Sequence, residues 1–306
     1  MRARRSFLGR IAGLLYRIFT KRRPAPTREG LAQQARAIMG LPRPLSIAWG
    51  LRPGIKIDRV PYCGVACERL RWRDASRATV LYFHGGGYLS CSPQTHRPNT
   101  VTLARLLEGV AYVPEYRLAP EYPFPAAVDD CYSVYRSLCE MNDRKPIVFA
   151  GDSAGGGLAI AIAWRARSQG LPLPSCILTF SPWVDLTPER EPHLRARAHL
   201  DDMFYAESFA AYSDAYLQGT DPRAPLASPL FANLTKMPPL LIEVSDTELL
   251  CLEAAQLRDR WAEAGNIVEL NISAGLPHGW QEVTPIVPEA RESLRRAADF
   301  ALRHLA

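Results

Sequence analysis

Ser153 stands in the pattern G-x-S-x-G, formed by Gly151, Asp152, Ser153, Ala154 and Gly155. The stretch "VFAGDSAGGGLAIAIA" (148–163) reads as strand, tight turn and helix. A serine raised on so sharp a turn leaves no room for side chains two residues to either side, which is why glycines flank it. The turn also aims a helix N-terminus at the serine. Backbone N–H groups there can meet a developing negative charge. The chemistry this suggests is nucleophilic acyl transfer.

Acyl transfer also needs donors for an oxyanion, a base and an acid. "VLYFHGGGYLS" (80–90) places His84, Gly85, Gly86 and Gly87 at the end of an apolar strand. Consecutive glycines let a backbone approach a ligand closely. The N–H groups of Gly85, Gly86 and Ala154 are the candidate oxyanion hole. No phosphate-binding G-x-x-x-x-G-K-[ST] motif is present. Of the six histidines, His278 follows a strand-like run and lies in the loop "GLPHGWQE" before the last helix. His96, His193, His199 and His304 have no recognisable partner pattern. Two carboxylates, Asp246 and Glu248, compete for the role of acid in "VSDTELL" (244–250). Local propensity offers both a dull job. Ser245 and Glu248 form a capping box, and Asp246 suits the first turn of a helix.

Strand-length apolar runs occur at 79–83, 109–116, 147–151, 176–181, 239–244 and 267–272. Helical segments near 97–107, 125–141, 154–168, 250–264 and 288–304 lie between or after them. Apolar strands alternating with helices predict a parallel sheet covered on both faces. Segments near 55–60 and 65–73 alternate like antiparallel edge strands. Region 183–235 has few strand-like runs and one predicted helix at 203–218, so it reads as an excursion from the sheet.

The net charge of +6 is unevenly placed. Residues 1–23 carry eight Lys/Arg and no acid, which leaves 29 basic against 31 acidic residues in the body, a net of −2. Outside the arm no basic patch is interleaved with aromatics, so nucleic acid is not expected as a partner. Seven scattered cysteines make no disulfide framework or zinc knuckle. They are expected as small buried apolar residues in a reducing compartment.

Within the arm, Phe7, Leu8, Ile11, Leu14, Leu15, Ile18 and Phe19 share one helical face, with Arg10 and Arg17 outside it and Pro24 and Pro26 beyond its end. The leading expectation is that this face packs on the rest of the protein. Peripheral contact of residues 1–23 with an anionic membrane is the second. Export is the third: "RRSFL" has the look of a twin-arginine signal, although no small-residue cleavage site follows.

The motifs together resemble those of the hormone-sensitive-lipase-like branch of the α/β-hydrolases, the bacterial family IV esterases. H-G-G-G-Y at 84–88, G-D-S-A-G-G at 151–156 and "YRLAPEYPFPAAVDD" at 116–130 carry the likeness, joined by "SPWVDLT" (181–187), "SPLFANLTKMPPLLI" (228–242) and "PHGW" (277–280). The resemblance implies an α/β-hydrolase fold: a mostly parallel eight-stranded sheet flanked by helices, with a helical cap. The cap would comprise residues 1–45 and an insertion at about 186–225, and residues 46–306 would form the catalytic domain.

The resemblance also assigns roles. Chain order is nucleophile, acid, histidine, and the family's H-x-F/W pattern falls on His278 and Trp280. His84 would shape the oxyanion turn without acid–base work. The family acid is followed by x-Leu and then by a helix ending in Ala-Gly. Glu248, Leu249 and Leu250 fit that register, and the helix ends at Ala264 and Gly265. Glu248 lies 30 residues before His278, closer to the family spacing than the 32 of Asp246. The expected triad is therefore Ser153, Glu248 and His278, acting on short-to-medium acyl esters without metal or organic cofactor. Deacetylation of an O- or N-acetylated natural product is the alternative, and a non-catalytic receptor of the same fold is the remote one. A cytoplasmic or membrane-peripheral location is expected, and a homodimer is left open.

Overall fold

A computed structural model of the chain describes residues 6–40, 44–73, 77–141 and 145–305. Its eight strands are β1 (Ile55–Tyr62), β2 (Val65–Trp72), β3 (Thr79–Phe83), β4 (Val110–Pro114), β5 (Ile147–Asp152), β6 (Cys176–Phe180), β7 (Leu240–Ser245) and β8 (Val268–Ser273). They form one sheet in the order β1-β2-β4-β3-β5-β6-β7-β8. β1 pairs antiparallel with β2, and β2 with β4; the other pairs are parallel. This is the sheet expected, with the alternating early segments at one edge.

The helices are α1 (Phe7–Phe19), α2 (Arg28–Met39), α3 (Pro44–Gly50), α4 (Arg97–Leu106), α5 (Ala126–Glu140), α6 (Ala154–Ser168), α7 (Glu191–Arg197), α8 (Ala206–Leu217), α9 (Cys251–Glu263) and α10 (Pro288–Arg303). Successive strand residues point to opposite faces. Leu81, Phe83 and Phe149 thus join the core under α5, α6 and α9, while Val80, Tyr82 and Val148 join the core under α4 and α10. Cys67, Cys131 and Cys176 are buried as expected, but Cys63 is exposed.

One polar group interrupts the second core. The Glu243 carboxylate on β7 is fully buried and held in a two-bond fork by Arg296 of α10, at 2.9 and 2.7 Å. Burial pushes the Glu243 carboxyl up, and Arg296 partly offsets the shift. Removing one partner strands the other. Arg296→Met should cost about 3–5 kcal/mol of stability, and adding Glu243→Leu should recover most of it. Urea unfolding midpoints of the single and double variants check both expectations.

Between β6 and β7 the chain contains no strand, as the excursion predicted. The helix there starts at Ala206 rather than 203. Asp201 accepts the N–H groups of Met203 and Phe204, at 2.7 and 2.8 Å, and so holds those residues in a turn before the helix.

The arm forms the expected helix but seats it the other way. The apolar residues Phe7 to Phe19 named above are exposed, and α1 rests on Gly9, Ala12, Gly13 and Tyr16. Small side chains let the helix backbone come close to the body. Ala12 packs with Leu276, Trp280, Val287 and Ala290. The Ser6 N–H and hydroxyl donate to Glu289 at 2.7 and 2.8 Å, Arg17 pairs with Asp202 at 3.0 Å, and Lys21 donates to backbone carbonyls at Ala198 and Asp201. The expectation that the large apolar face packs on the protein is overturned. Arg4 and Arg5 of "RRSFL" lie outside the described residues. No helix among the described residues is long and apolar enough to cross a membrane.

Candidate active site

Ser153 sits between β5 and α6 with φ 53° and ψ −122°. A left-handed φ on a non-glycine residue stores on the order of 1–3 kcal/mol of strain. The neighbouring glycines show why the turn excludes side chains. A Cβ on Gly155 would lie 2.0 Å from the Phe83 carbonyl oxygen, and one on Gly151 would lie 2.3 Å from that of Gly155.

His278 and Ser153 line the same pocket. His278 Nδ1 lies 2.6 Å from Glu248 Oε2. The other oxygen, Oε1, accepts from the Ser181 hydroxyl and the Ser245 N–H, both at 2.8 Å. Burial alone would lower the His278 pKa; the bond and charge of Glu248, joined by the charges of Asp201 and Asp152, together outweigh it and raise it. Asp246 faces elsewhere, accepting the Gly275 N–H at 2.8 Å. The capping box is not made, because Ser245 still belongs to β7 and α9 begins only at Cys251. The close Ser245–Glu248 approach that suggested it persists as two bonds in a strand-to-turn bend: the Ser245 N–H donates to Glu248 Oε1 at 2.8 Å, and the Glu248 N–H to the Ser245 carbonyl at 3.2 Å.

The oxyanion loop needs one correction. The Gly85 N–H is committed inward, 3.1 Å from Asp152 Oδ1, and cannot also face the pocket. Gly86 and Gly87 form that wall instead. Their N–H groups, and that of Ala154, have no hydrogen-bond partner among the described residues. His84 stacks on Tyr116 with ring centroids 4.1 Å apart, and burial takes its pKa down to about 3, so it is neutral.

Beneath the loop lies a cluster without a local sequence signal. His96 Nε2 is 3.2 Å from Asp152 Oδ2 and 3.2 Å from Glu282 Oε1. Tyr82 donates to Asp152 Oδ1 at 2.7 Å. The three ligating atoms lie within 4.8 Å of one another, the proximity a metal site requires. They are also satisfied without one: burial opposes a charge on His96, but the two carboxylates overcome it and hold the imidazole well above its ordinary range. An imidazolium thus joins the oxyanion loop (through Asp152 to Gly85), the serine turn and the histidine loop. Its raised pKa gives a stability signature. The stabilisation is complete below the unfolded value of about 6.5 and shrinks by about 1.4 kcal/mol per pH unit above it, until the folded value is reached. Wild type should therefore exceed His96→Gln in unfolding free energy most near pH 6. The gap should close toward alkaline pH in urea titrations.

A pocket of about 650 Å³, including its mouth, stands above Ser153. Its roof is apolar: Tyr16 from α1, Met39 from α2, Met203 and Phe204 before α8, and Phe209 and Tyr212 on it. Phe204 also sets its ring edge-on to His278 at 5.2 Å. The buried Asp201 fixes this arrangement, since it caps Phe204 with one oxygen and accepts the Leu249 N–H at 3.0 Å with the other.

The sequence matches the family described as "alpha/beta hydrolase fold" over residues 80–282. The chain belongs to that family. Among solved structures, this α/β-hydrolase superposes with a TM-score of 0.86 on an esterase from the bacterial hormone-sensitive lipase family, at 33% identity over 99% of this chain and 100% of that one. It is 37% identical over 252 residues to an acetyl-hydrolase of Streptomyces hygroscopicus, covering 82% of this chain and 83% of the relative. To an esterase of Acinetobacter venetianus it is 31% identical over 251 residues, 81% and 82% of the two chains. It is a member of the hormone-sensitive-lipase-like branch and a hydrolase.

Proposed function

We propose that this α/β-hydrolase is a serine carboxylesterase using Ser153, His278 and Glu248. The observation that carries the reading is the 2.6 Å contact of His278 with Glu248 in the pocket that holds Ser153. Ser153 Oγ attacks the ester carbonyl and its proton passes to His278. Glu248 keeps the imidazole in the required tautomer and stabilises the imidazolium. The oxyanion sits against the N–H groups of Gly86, Gly87 and Ala154. Collapse breaks the ester C–O bond, and the alcohol leaves with the proton from His278. Water then gives a proton to His278 and attacks the acyl-serine; as the acyl–Oγ bond breaks, His278 returns that proton to Ser153 Oγ and the acid leaves. All these steps use side chains, backbone and water.

Helices α1, α2, α7 and α8 act as a cap over the catalytic body, and their apolar lining supports short-to-medium acyl groups. The second reading, deacetylation of an O- or N-acetylated compound, is favoured by the likeness to the Streptomyces acetyl-hydrolase. A series of p-nitrophenyl esters from acetate to decanoate, beside an acetyl amide, separates the two. The best kcat/KM is expected on an ester of intermediate length. A preference for the amide, or for acetate alone, would overturn the first reading. We assign residues 1–23 to peripheral contact with an anionic lipid surface.

A further inference from the structure

From that assignment and the esterase reading, we infer that α1 is both the membrane-seating surface and the roof of the pocket, so that esters dissolved in lipid are a substrate class. The outward face supports seating. Phe7, Leu14 and Phe19 are 75%, 58% and 65% exposed, and the rest of the stripe is exposed too. On a helix these residues span an arc of about 140°. Arg10 and Arg17 lie along one border of that arc and the buried small residues along the other. This is the section of a helix lying in an interface, with cations beside an apolar strip.

Charge selects the occupant. The arm carries eight Lys/Arg and no acid. A symmetric contact with a second copy would set two such arms against each other. An anionic bilayer offers apolar depth and opposite charge at once, each basic group adding attraction near such a surface.

The inward face supports delivery. Tyr16 lines the catalytic pocket. A second cavity of about 340 Å³ shares Met39, Met203, Phe204 and Tyr212 with that pocket and is bounded on its other side by Thr20, Arg22 and Pro24. Arg22 is exposed. The two cavities thus adjoin across a shared wall, on the side of the pocket where the basic end of α1 lies. Seating α1 in a bilayer brings this side of the pocket to the level of the headgroups.

The test uses the full chain and vesicles of phosphatidylcholine with phosphatidylglycerol. Wild type is expected to sediment with them, less so in high salt. The triple variant Phe7→Gln, Leu14→Gln, Phe19→Gln should bind at least about tenfold more weakly. Its kcat/KM on p-nitrophenyl decanoate held in vesicles should fall in proportion, with hydrolysis of dissolved p-nitrophenyl acetate unchanged. Arg10→Gln with Arg23→Gln, which keeps the apolar strip, should weaken the preference for anionic over neutral vesicles. Absence of wild-type sedimentation, or sedimentation of the triple variant equal to wild type, overturns the inference. So does a dimer that the triple variant dissociates while wild type ignores vesicles, which would make a second copy the occupant. Failure of wild type to hydrolyse dissolved acetate and the other p-nitrophenyl esters would overturn the esterase reading instead, with vesicle binding still reporting on α1.

Discussion

Ser153→Ala should reduce kcat by about 10⁶ on any ester the wild type hydrolyses. The substitution removes one oxygen and leaves the site otherwise intact. Backbone strain at φ 53° persists with alanine, and Gly86, Gly87 and Ala154 keep their N–H groups. His278 and Glu248 remain paired. The residual rate, about 10³ over water, would come from binding and oxyanion donors alone. Initial rates with p-nitrophenyl butyrate check the drop. Labelling by an organophosphate, seen as a mass shift in wild type and lost in the variant, checks that the oxygen is nucleophilic. A variant retaining more than a few per cent of activity would remove Ser153 from the nucleophile's role. An unlabelled wild type would favour the receptor reading.

Legibility in the sequence followed the range of the interactions. The serine turn was readable because its constraint is local: glycine at 151 and 155 answers contacts within one strand-turn-helix unit. The central strands β3, β5, β6 and β7 were readable because burial on both faces makes them continuously apolar. The pairing of Glu248 with His278 was readable only through register. Propensity around Ser245 pointed to a helix start five residues before α9 begins.

What failed depended on distant partners. Nothing near Gly85 announces that its N–H will be taken by Asp152, 67 residues away. Likewise His96 gains its charge from Asp152 and Glu282, which the sheet and two loops bring to it. The arm failed for another reason. Periodicity identifies an amphipathic helix but not the side from which the protein approaches. Gly9, Ala12 and Gly13 were the available signal, since small residues mark close backbone contact as readily as large ones mark burial. Together with Tyr16, they put the pocket roof and the exposed strip on opposite sides of one helix.

Glu248→Gln should lower kcat by about 10⁴, whereas Asp246→Asn should cost no more than about tenfold. The asymmetry follows from what each oxygen accepts. Glu248 Oε1 takes two donors, from Ser181 and Ser245. In the glutamine variant the amide oxygen is held there, which turns the NH₂ toward His278 Nδ1. That nitrogen must then accept, so the ring proton moves to Nε2 and blocks transfer from Ser153. Asp246 accepts the Gly275 N–H, a task an asparagine oxygen performs as well. The pH profile separates a lost charge from a disturbed loop. Burial pulls His278 down, but Glu248, helped by Asp201 and Asp152, raises it overall, and it must be neutral to act as base. The acid limb of wild-type kcat/KM should therefore lie above the ordinary imidazole value of about 6.5. With the Glu248 charge gone, burial prevails and the residual activity of Glu248→Gln should keep its acid limb at lower pH. Asp246→Asn should leave the limb in place. The reverse ranking in kcat, or a limb that moves with Asp246 and not with Glu248, would transfer the acid's role to Asp246.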